Sequence, residues 1–255
     1  MTEPLRVCDF FSGMHSWTEP LRLNEIPSKV FSIDNSPNYA HNTSLIADFL
    51  ELTAEDIRAF FDGENPHVIL ASPPCTTFSV ASYGVHWFKP DRFGNRQPKT
   101  KAAAIGVQLL NHMLTLIDEL NCLFFFENPR GLMRKMPSIQ HIKRHTVWYC
   151  QYFSEYEAQR GLNNRAKPTD IFTNSKTWRP RPECKNSSPN CSHDKAPRGS
   201  VAGTQALATN ALRSLLPYDL CEEIMQVYLI EGGTRSGLDT QRRTVQTTLF
   251  MGASE

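Results

Sequence analysis

Short apolar runs that end in a glycine, a proline or an acidic residue recur along the first half of the chain. Such runs are typical of strands buried in a parallel sheet, where both faces of each strand are covered. Helical spacing of apolar residues follows several of them, and this alternation predicts an α/β fold. The predicted strands of this half cover residues 5–11, 29–34, 44–48, 67–71 and 123–128.

Helical periodicity predicts four helices. The first ends at residue 23, and the others cover residues 53–61, 102–120 and 212–230. Thr53 is the expected N-cap of the second, because Asp56 stands where a capping box needs an acceptor. The third is apolar on most sides, so we expect it to lie largely in the core. Pro217 stands near the start of the last helix, where a proline is tolerated.

The second half of the chain is less regular. Strands are predicted at residues 147–152 and within 164–174, where Arg165 and Lys167 would share one face of the strand. Residues 175–211 are rich in proline, serine, asparagine and arginine, without periodicity. The tail from Glu231 is polar, and we expect it to be mobile.

The composition fits a single soluble domain. With 255 residues and 40% hydrophobic residues, the chain can bury one full core. Seven cysteines form an odd number and no signal peptide opens the chain, so we expect free thiols rather than a disulfide framework. No apolar run is long enough to span a bilayer. We therefore expect a cytoplasmic protein that does not bind membranes.

The net charge of +1 hides an uneven distribution of charge. Formal charges are −7 over residues 1–79, +4 over 80–101, +5 over 129–145 and +6 over 160–203. The basic segments contain the aromatic residues Trp87, Phe88, Phe93 and Trp178. This mixture is typical of a groove for a polyanion such as nucleic acid. Ordinary solvated loops are the alternative interpretation.

A cysteine follows directly after the strand at 67–71. Pro73 and Pro74 end the strand and place Cys75 at its carboxyl end, where open α/β sheets carry their reactive groups. Cys75 is a candidate nucleophile, and the alternative is an inert cysteine packed in a loop. The polar segment 80–101 comes next, and a loop of this length beside a nucleophile predicts a lid.

Two earlier strand ends predict a cofactor site. Gly13 follows the first strand, and Asp34 lies about 20 residues beyond it, the spacing at which a Rossmann-type site presents a carboxylate to ribose. Asp48 ends the third strand. One glycine and two acidic residues are equally common in ordinary loops. However, Gly13, Asp34, Asp48 and Cys75 all lie at the ends of predicted strands, and this shared position favours a site.

The strand at 123–128 ends in Glu127 and Asn128, after three consecutive phenylalanines. Burial beside an apolar wall favours the neutral form of a carboxyl group. Glu127 is therefore a candidate proton donor, and the alternative is a glutamate that only caps the next turn.

Taken in order, these residues resemble the motif series of the DNA (cytosine-5) methyltransferases, most closely the compact phage-type members. The Pro-Pro-Cys-x-x-Phe-Ser motif and the Glu-Asn motif are the most specific parts, and the similarity runs from about residue 5 to about residue 230. The residues that carry it are Asp9–Gly13, Asp34, Asp48, Pro73–Ser79, Glu127–Asn128, Arg165–Lys167 and Arg213–Pro217.

The resemblance implies a mixed Rossmann-like sheet with helices on both faces and S-adenosylmethionine as methyl donor. Cys75 would attack C6 of a flipped cytosine, and Glu127 would hold N3 and the 4-amino group. Asn128 would position the surrounding loop, and Arg165 would contact O2 and help to keep Cys75 as thiolate, with Lys167 in support. The implied cofactor-binding residues are Phe11, Ser12, Gly13, Asp34, Asn35, Asp48, Phe49, Pro74 and Ser214.

The resemblance also implies a domain organisation. Residues 1–174 would form the catalytic and cofactor-binding domain, 175–212 a small target-recognition region, 213–230 a helix that returns to the first domain, and 231–255 a flexible tail. A monomer that binds double-stranded DNA is expected. So small a recognition region predicts a short or relaxed target sequence.

The chain departs from the family pattern at two positions. His15 stands where the first motif usually carries a second glycine, so we expect a differently shaped cofactor loop. Pro129 stands where valine is commoner.

Two weaker features lie outside these motifs. Cys184, Cys191 and His193 form a Cys-x6-Cys-x-His cluster that is a candidate zinc site, with Cys150 as a candidate fourth ligand, although free thiols explain it as well. Gln246–Phe250 resembles the short Gln-x-x-Leu-Phe peptides that dock on bacterial sliding clamps.

Other functions stay open from the sequence. An RNA cytosine-5 methyltransferase would share the fold and the nucleophile. An inactive DNA-binding relative is a second alternative, although decay should first remove Cys75, Glu127 or Arg165. A small-molecule oxidoreductase with a dinucleotide fold would have no use for those three residues.

Overall fold

A mixed β-sheet lies at the centre of the computed structural model, which describes residues 3–92, 94–184, 191, 193 and 209–231. Its seven strands within these residues are β1 (Leu5–Phe10), β2 (Ser28–Asp34), β3 (Leu45–Ile46), β4 (Val68–Ala71), β5 (Leu123–Pro129), β6 (Arg144–Trp148) and β7 (Pro168–Thr173). The spatial order is β3-β2-β1-β4-β5-β7-β6. The first five strands in this order run parallel to one another, whereas β7 is antiparallel to both β5 and β6.

Helices cover both faces of this sheet, as expected. They are α1 (Glu19–Leu23), α2 (Ala54–Phe60), α3 (Tyr83–His86), α4 (Lys101–Leu120), α5 (Glu155–Gln159), α6 (Asn210–Ser214) and α7 (Tyr218–Glu231). Thr53 and Asp56 form the predicted capping box of α2, in which each side chain accepts a hydrogen bond from the backbone N–H of the other residue. The predicted mixed, Rossmann-like sheet with helices on both faces is confirmed.

Two apolar clusters, one on each face, hold the layers together. One packs α2 and α4 against alternate strand residues such as Phe10, Phe124 and Phe126. The other packs α7 against the intervening residues, including Val7 and Phe125. Burial of each such phenylalanine contributes about 1.5–3 kcal/mol. The central strands are therefore buried on both faces, which explains their continuous apolar runs.

The structure corrects the predicted ends of two strands. Residues 147–152 were expected to form one strand, but β6 ends at Trp148 and a 3₁₀ turn covers Tyr149–Gln151. The reason is the length of the partner strand, because Trp148 pairs with Pro168, the first residue of β7. For the same reason Arg165 and Lys167 precede β7 instead of alternating along it.

Two helix predictions also need correction. The predicted helix 212–230 is broken into α6 and α7 at Leu215–Pro217, because a proline disfavours helical geometry in the residue before it. Helix α4 buries one face only: Leu110 and Met113 are fully buried, whereas Ile105 is 37% exposed. It is therefore amphipathic and not core on most sides.

The predicted recognition region 175–212 is described only in part. Its first residues pack on the domain, because Trp178 is 1% exposed within the cluster that also contains α7. The predicted tail was expected to start at Glu231, but Glu231 is the last residue of α7. Residues 232–255, including Gln246–Phe250, lie outside the described residues.

Among the described helices, none combines the length and the apolarity needed to cross a lipid bilayer.

We predict that Gly131→Ala is strongly disruptive. A Cβ at Gly131 would lie 2.4 Å from the carbonyl oxygen of Phe78, so one of two backbone segments must move. We expect the substitution to lower the free energy of unfolding by about 1–3 kcal/mol. Urea unfolding measures the change. Gly84→Ala is the matched control, because nothing lies within 4 Å of its added Cβ. Equal stability of the two variants would contradict the close approach.

Candidate active site

The loop that carries Cys75 is held at both of its ends, at the carboxyl edge of the sheet. Asn128, at the end of β5, donates from Nδ2 to the carbonyl oxygen of Pro73 at 3.0 Å. The backbone N–H of Leu132 donates to the carbonyl oxygen of Phe78 at 2.7 Å. The Phe78 ring is itself buried. Adjacent parallel strands thus hold the loop that the two prolines begin.

The segment after this loop is anchored rather than free. Trp87 is 3% exposed, packs against Phe78 and donates from Nε1 to the carbonyl oxygen of Thr77 at 2.7 Å. Trp87 also pairs with Pro98 across the segment. The segment of the predicted lid is therefore attached to the nucleophile loop at Trp87 and is also paired with itself.

Glu127 is a buried carboxyl group in a ring of polar side chains. Its Oε1 accepts a hydrogen bond from the Tyr149 hydroxyl at 3.1 Å and lies 3.6 Å from Nζ of Lys167. Burial raises the pKa of Glu127 above its usual range, although Lys167 and Tyr149 act in the opposite direction. The neutral form of Glu127 is therefore favoured to higher pH than in a free glutamate.

Arg165 and Lys167 converge on the same place from the other side. Lys167 donates from Nζ to the carbonyl oxygen of Arg213 at 3.1 Å, and Arg165 donates from Nη2 to that of Leu215 at 2.7 Å. Both cations lie over the ring of Tyr149, at 4.6 Å for Lys167 and 5.2 Å for Arg165. The break between α6 and α7 thus exposes the carbonyl groups that orient these two side chains.

Tyr149 was missed by the sequence reasoning, although it contacts Glu127, Arg165 and Lys167. The expected strand 147–152 would have made it one of several alternating residues. A usable signal was available, because a tyrosine at the end of a strand has an apolar ring and a hydroxyl that needs a partner.

The Cys75 thiol is partly buried and lies within electrostatic reach of Glu127 and Lys167. Burial raises the pKa of Cys75, the charge of Glu127 raises it further, and Lys167 lowers it. Lys167 is thus the cation that favours the thiolate here, whereas the sequence reasoning had given Arg165 the leading part.

The predicted cofactor loop follows β1 and has an unusual backbone. Phe11, Gly13 and His15 have φ values of 57°, 49° and 56°, in the left-handed region that favours glycine. His15 is the residue at which we expected a differently shaped loop, and its Nδ1 lies 3.4 Å from Oδ2 of the buried Asp9. This contact raises the pKa of His15.

Asp34 fastens the cofactor loop to the end of β2. Its Oδ2 accepts from the backbone N–H of Gly13 at 3.0 Å, and its Oδ1 accepts from that of Ser36 at 2.9 Å. Each carboxylate oxygen can accept a second hydrogen bond, so Asp34 retains capacity for a ligand. The structure therefore brings Gly13 and Asp34 together, as expected.

The other predicted cofactor residues surround this loop. Asp48 is exposed and accepts from the backbone N–H of Leu50 at 3.0 Å, while the ring of Phe49 packs 4.3 Å from that of Phe11. Asn35 and Pro74 are exposed. Ser214 is also exposed, and its segment connects to the loop because Leu216 N–H donates to Oγ of Ser16 at 3.3 Å.

Several buried polar atoms at this edge lack a hydrogen-bond partner within the described part of the protein. They include Oδ1 of Asp9, Oγ of Ser12, Oδ1 of Asn128 and Nε of Arg165. An unsatisfied buried polar atom costs about 1–3 kcal/mol. Such atoms at a sheet edge are typical of a site whose ligand completes the hydrogen bonds.

The candidate zinc ligands also come together. The ligand atoms of Cys150, Cys184, Cys191 and His193 all lie within 4.8 Å of one another.

Comparison with protein-family models and with curated protein sequences gives no match. Two solved structures are similar in fold. The Schizosaccharomyces pombe Dnmt2 methyltransferase is aligned over 70% of this chain and 52% of its own, with 17% identity and a TM-score of 0.45. The Entamoeba histolytica methyltransferase EhMeth is aligned over 72% and 58%, with 12% identity and a TM-score of 0.47. The alignments thus span between half and two thirds of those chains, and the likeness concerns the fold alone.

We predict that alkylation of Cys75 by iodoacetamide keeps accelerating, by up to about tenfold per pH unit, between pH 7 and 9, because only the thiolate reacts and burial raises the pKa of Cys75 above the usual range of a cysteine. Glu127→Gln removes a negative charge that raises this pKa, so Cys75 should react faster in that variant at pH 8. Peptide mass spectrometry measures the rate at Cys75 alone.

Glu155→Gln is the matched control, because Glu155 is exposed on α5. A plateau below pH 8 in the native protein would contradict the raised pKa. Equal rates in Glu127→Gln and Glu155→Gln would contradict the coupling between Glu127 and Cys75.

Proposed function

We propose that this protein is an S-adenosylmethionine-dependent DNA (cytosine-5) methyltransferase. The observation that carries the proposal is the position of Cys75, Glu127 and Lys167 at one edge of the sheet. Strands β4 and β5 are parallel neighbours, Asn128 holds the loop of Cys75, and Nζ of Lys167 lies 3.6 Å from Oε1 of Glu127. A thiol, a carboxyl group of raised pKa and a cation in mutual electrostatic reach fit the two-sided chemistry that C5 methylation requires. The motif series of the sequence supports the same assignment.

Cys75 acts as the nucleophile. Its thiolate forms a bond to C6 of the cytosine, and the electron pair of the C5–C6 double bond moves into the ring. Carbon 5 then carries the electron density that a methyl group needs. After methylation, a base removes the C5 proton, the C5–C6 double bond forms again and Cys75 leaves.

Glu127 handles the proton at the opposite edge of the ring. Its neutral form donates a proton to N3 as Cys75 attacks, and the resulting carboxylate takes the proton back when Cys75 leaves. Between these two steps, Lys167 and Tyr149 stabilise the carboxylate. The same two residues lower the pKa of Glu127, whereas burial raises it.

Arg165 and Asn128 offer polar atoms that are free to bind the cytosine. Nε of Arg165 and Oδ1 of Asn128 are buried and have no partner among the described residues. In the proposed complex Arg165 donates to O2 of the cytosine, and Asn128 keeps its bond to Pro73 and so holds the Cys75 loop in place.

The residues around β1 and β2 fit the methyl donor. The left-handed backbone at Phe11 and Gly13, the spare acceptor capacity of Asp34 and the unpartnered Oγ of Ser12 form a cradle that a small polar ligand would complete. When bound, S-adenosylmethionine supplies an electrophilic methyl group. Asp34 would hold its ribose, Asp48 its adenine amine, and Phe11 its adenine ring.

DNA is the proposed substrate because of the surface beside Cys75. Val80, Val85 and Phe88 are 65%, 61% and 54% exposed, next to a basic stretch that includes Lys89 and Arg92. Basic side chains neutralise phosphates, and exposed apolar side chains can fill the gap in the stack when a base is flipped. Residues 175–212 would read the flanking sequence, and their small number implies a short or relaxed target.

We predict that the protein forms a covalent adduct with double-stranded DNA containing 5-fluorocytosine in the presence of S-adenosylmethionine. Fluorine cannot leave C5 as a cation, so the final elimination of Cys75 is blocked. Denaturing gel electrophoresis and mass spectrometry measure the adduct. Cys75→Ser should abolish it, whereas Cys122→Ser, at a buried cysteine outside the site, should leave it intact.

RNA of the same sequence forms the second arm of the trapping experiment. Trapping on RNA but not on DNA would overturn the proposed substrate and leave the mechanism standing. Absence of an adduct on either nucleic acid, over a library of target sequences, would overturn the enzymatic assignment. Glu127→Gln should slow adduct formation by at least about 100-fold, the usual contribution of acid–base catalysis.

We also predict that Asp34→Ala weakens binding of S-adenosylhomocysteine at least about tenfold, because a charge-assisted hydrogen bond contributes about 1.5–3 kcal/mol. Isothermal titration calorimetry measures the dissociation constant. Asp118→Ala, at an exposed position of α4, is the control and should bind normally. Unchanged affinity in Asp34→Ala would contradict the proposed cofactor site.

A further inference from the structure

A cluster of three thiols and an imidazole joins the start of the predicted recognition region to the catalytic domain. Nδ1 of His193 lies 3.3 Å from Sγ of Cys191 and 3.7 Å from Sγ of Cys184. Cys150, from the 3₁₀ turn after β6, completes a set whose ligand atoms all lie within 4.8 Å of one another. Three separate parts of the chain therefore meet at one point.

The spacing of these atoms matches a metal site. Tetrahedral zinc binds sulfur at about 2.3 Å and nitrogen at about 2.0–2.1 Å, so its ligand atoms lie roughly 3.5–3.8 Å apart. The distance from His193 to Cys184, 3.7 Å, lies within this range, and the distance to Cys191, 3.3 Å, lies just below it. Cys150 and Cys184 are buried while Cys191 and His193 are half-buried, so the cluster is shielded yet reachable by an ion.

Disulfide bonding does not account for the cluster. Cys150, Cys184 and Cys191 are all free thiols, and any one disulfide among them would leave the third thiol and His193 unused. Ordinary core packing does not account for it either, because a polar imidazole nitrogen faces two sulfurs. A soft divalent ion with a preference for thiolate and imidazole ligands uses all four groups.

We propose that Cys150, Cys184, Cys191 and His193 bind one zinc ion that fastens the recognition region to the catalytic domain. Four protein ligands close the coordination sphere, so the ion is structural and leaves no position for a substrate. Residues 175–211 have no periodic apolar pattern from which to build a core, and small segments of this kind need such a staple.

The position of Cys150 gives the zinc ion a second role, and this role rests on the proposed function. Cys150 follows Tyr149, whose hydroxyl donates to Glu127 and whose ring lies under Arg165 and Lys167. Zinc bound at Cys150 would hold this turn in place. The ion would thus connect the segment that reads the target with the side chains that hold the flipped base.

Elemental analysis of the full-length protein, purified without chelator or affinity metal, tests the site. We expect about one zinc per chain in the native protein and less than about 0.2 in Cys150→Ser, Cys191→Ser and His193→Ala. Cys122→Ser and His141→Ala are matched controls outside the cluster and should retain about one zinc. Retention of zinc in the three ligand variants, or its absence from the native protein, would overturn the proposal.

Cobalt substitution covers the case in which a ligand variant misfolds. Native protein stripped with a chelator and titrated with Co²⁺ should show the visible bands of tetrahedral cobalt and the charge transfer of thiolate ligands, and Zn²⁺ should displace them. A spectrum of octahedral cobalt without thiolate bands would contradict the site. Neither readout depends on methylation, so a failed zinc site and a failed enzymatic assignment are distinguishable.

Discussion

The buried contact between Glu127, Lys167 and Tyr149 is the interaction on which the proposed chemistry depends. A carboxyl group with 5% exposure is costly to ionise, and Lys167 at 3.6 Å offsets part of that cost. These opposing effects leave the pKa of Glu127 above its usual range. That balance suits a side chain that must donate a proton and recover it within one catalytic cycle.

The sheet topology creates this contact. Strand β5 ends at Pro129, which pairs with Thr169 near the start of the antiparallel β7. The residues just before β7 therefore arrive at the carboxyl end of β5, where a parallel strand would have brought its own carboxyl end. Lys167 and Arg165 reach Glu127 and Tyr149 because of that one reversal of direction. The same edge carries Cys75 at the end of β4.

Local signals in the sequence predicted much of this arrangement. The Thr53–Asp56 capping box, the polar residues at the ends of β1, β2 and β4, and the positions of Cys75 and Glu127 all follow from patterns within a few residues. These patterns are reliable because they reflect hydrogen bonds and burial along one short stretch of chain.

The remaining features depend on contacts between distant segments. The end of β6, and with it the role of Tyr149, is set by where β7 begins. The break at Leu215–Pro217 places carbonyl groups against Arg165 and Lys167. The apolar pattern of one segment cannot predict a contact with a segment about 50 residues away. The side chain of His15 contacts Asp9, six residues earlier and inside the core. Periodicity alone carries no information on such pairs.

The most direct test of the central claim is a crystal structure of the protein bound covalently to an oligonucleotide that contains 5-fluorocytosine. The account predicts an extruded base with Sγ of Cys75 bonded to C6, and a carboxyl oxygen of Glu127 within hydrogen-bond distance of N3 on the opposite edge. Lys167 and Tyr149 should remain in contact with that carboxyl group. A complex in which the base stays stacked in the helix, or in which Glu127 faces away from the ring, would contradict it.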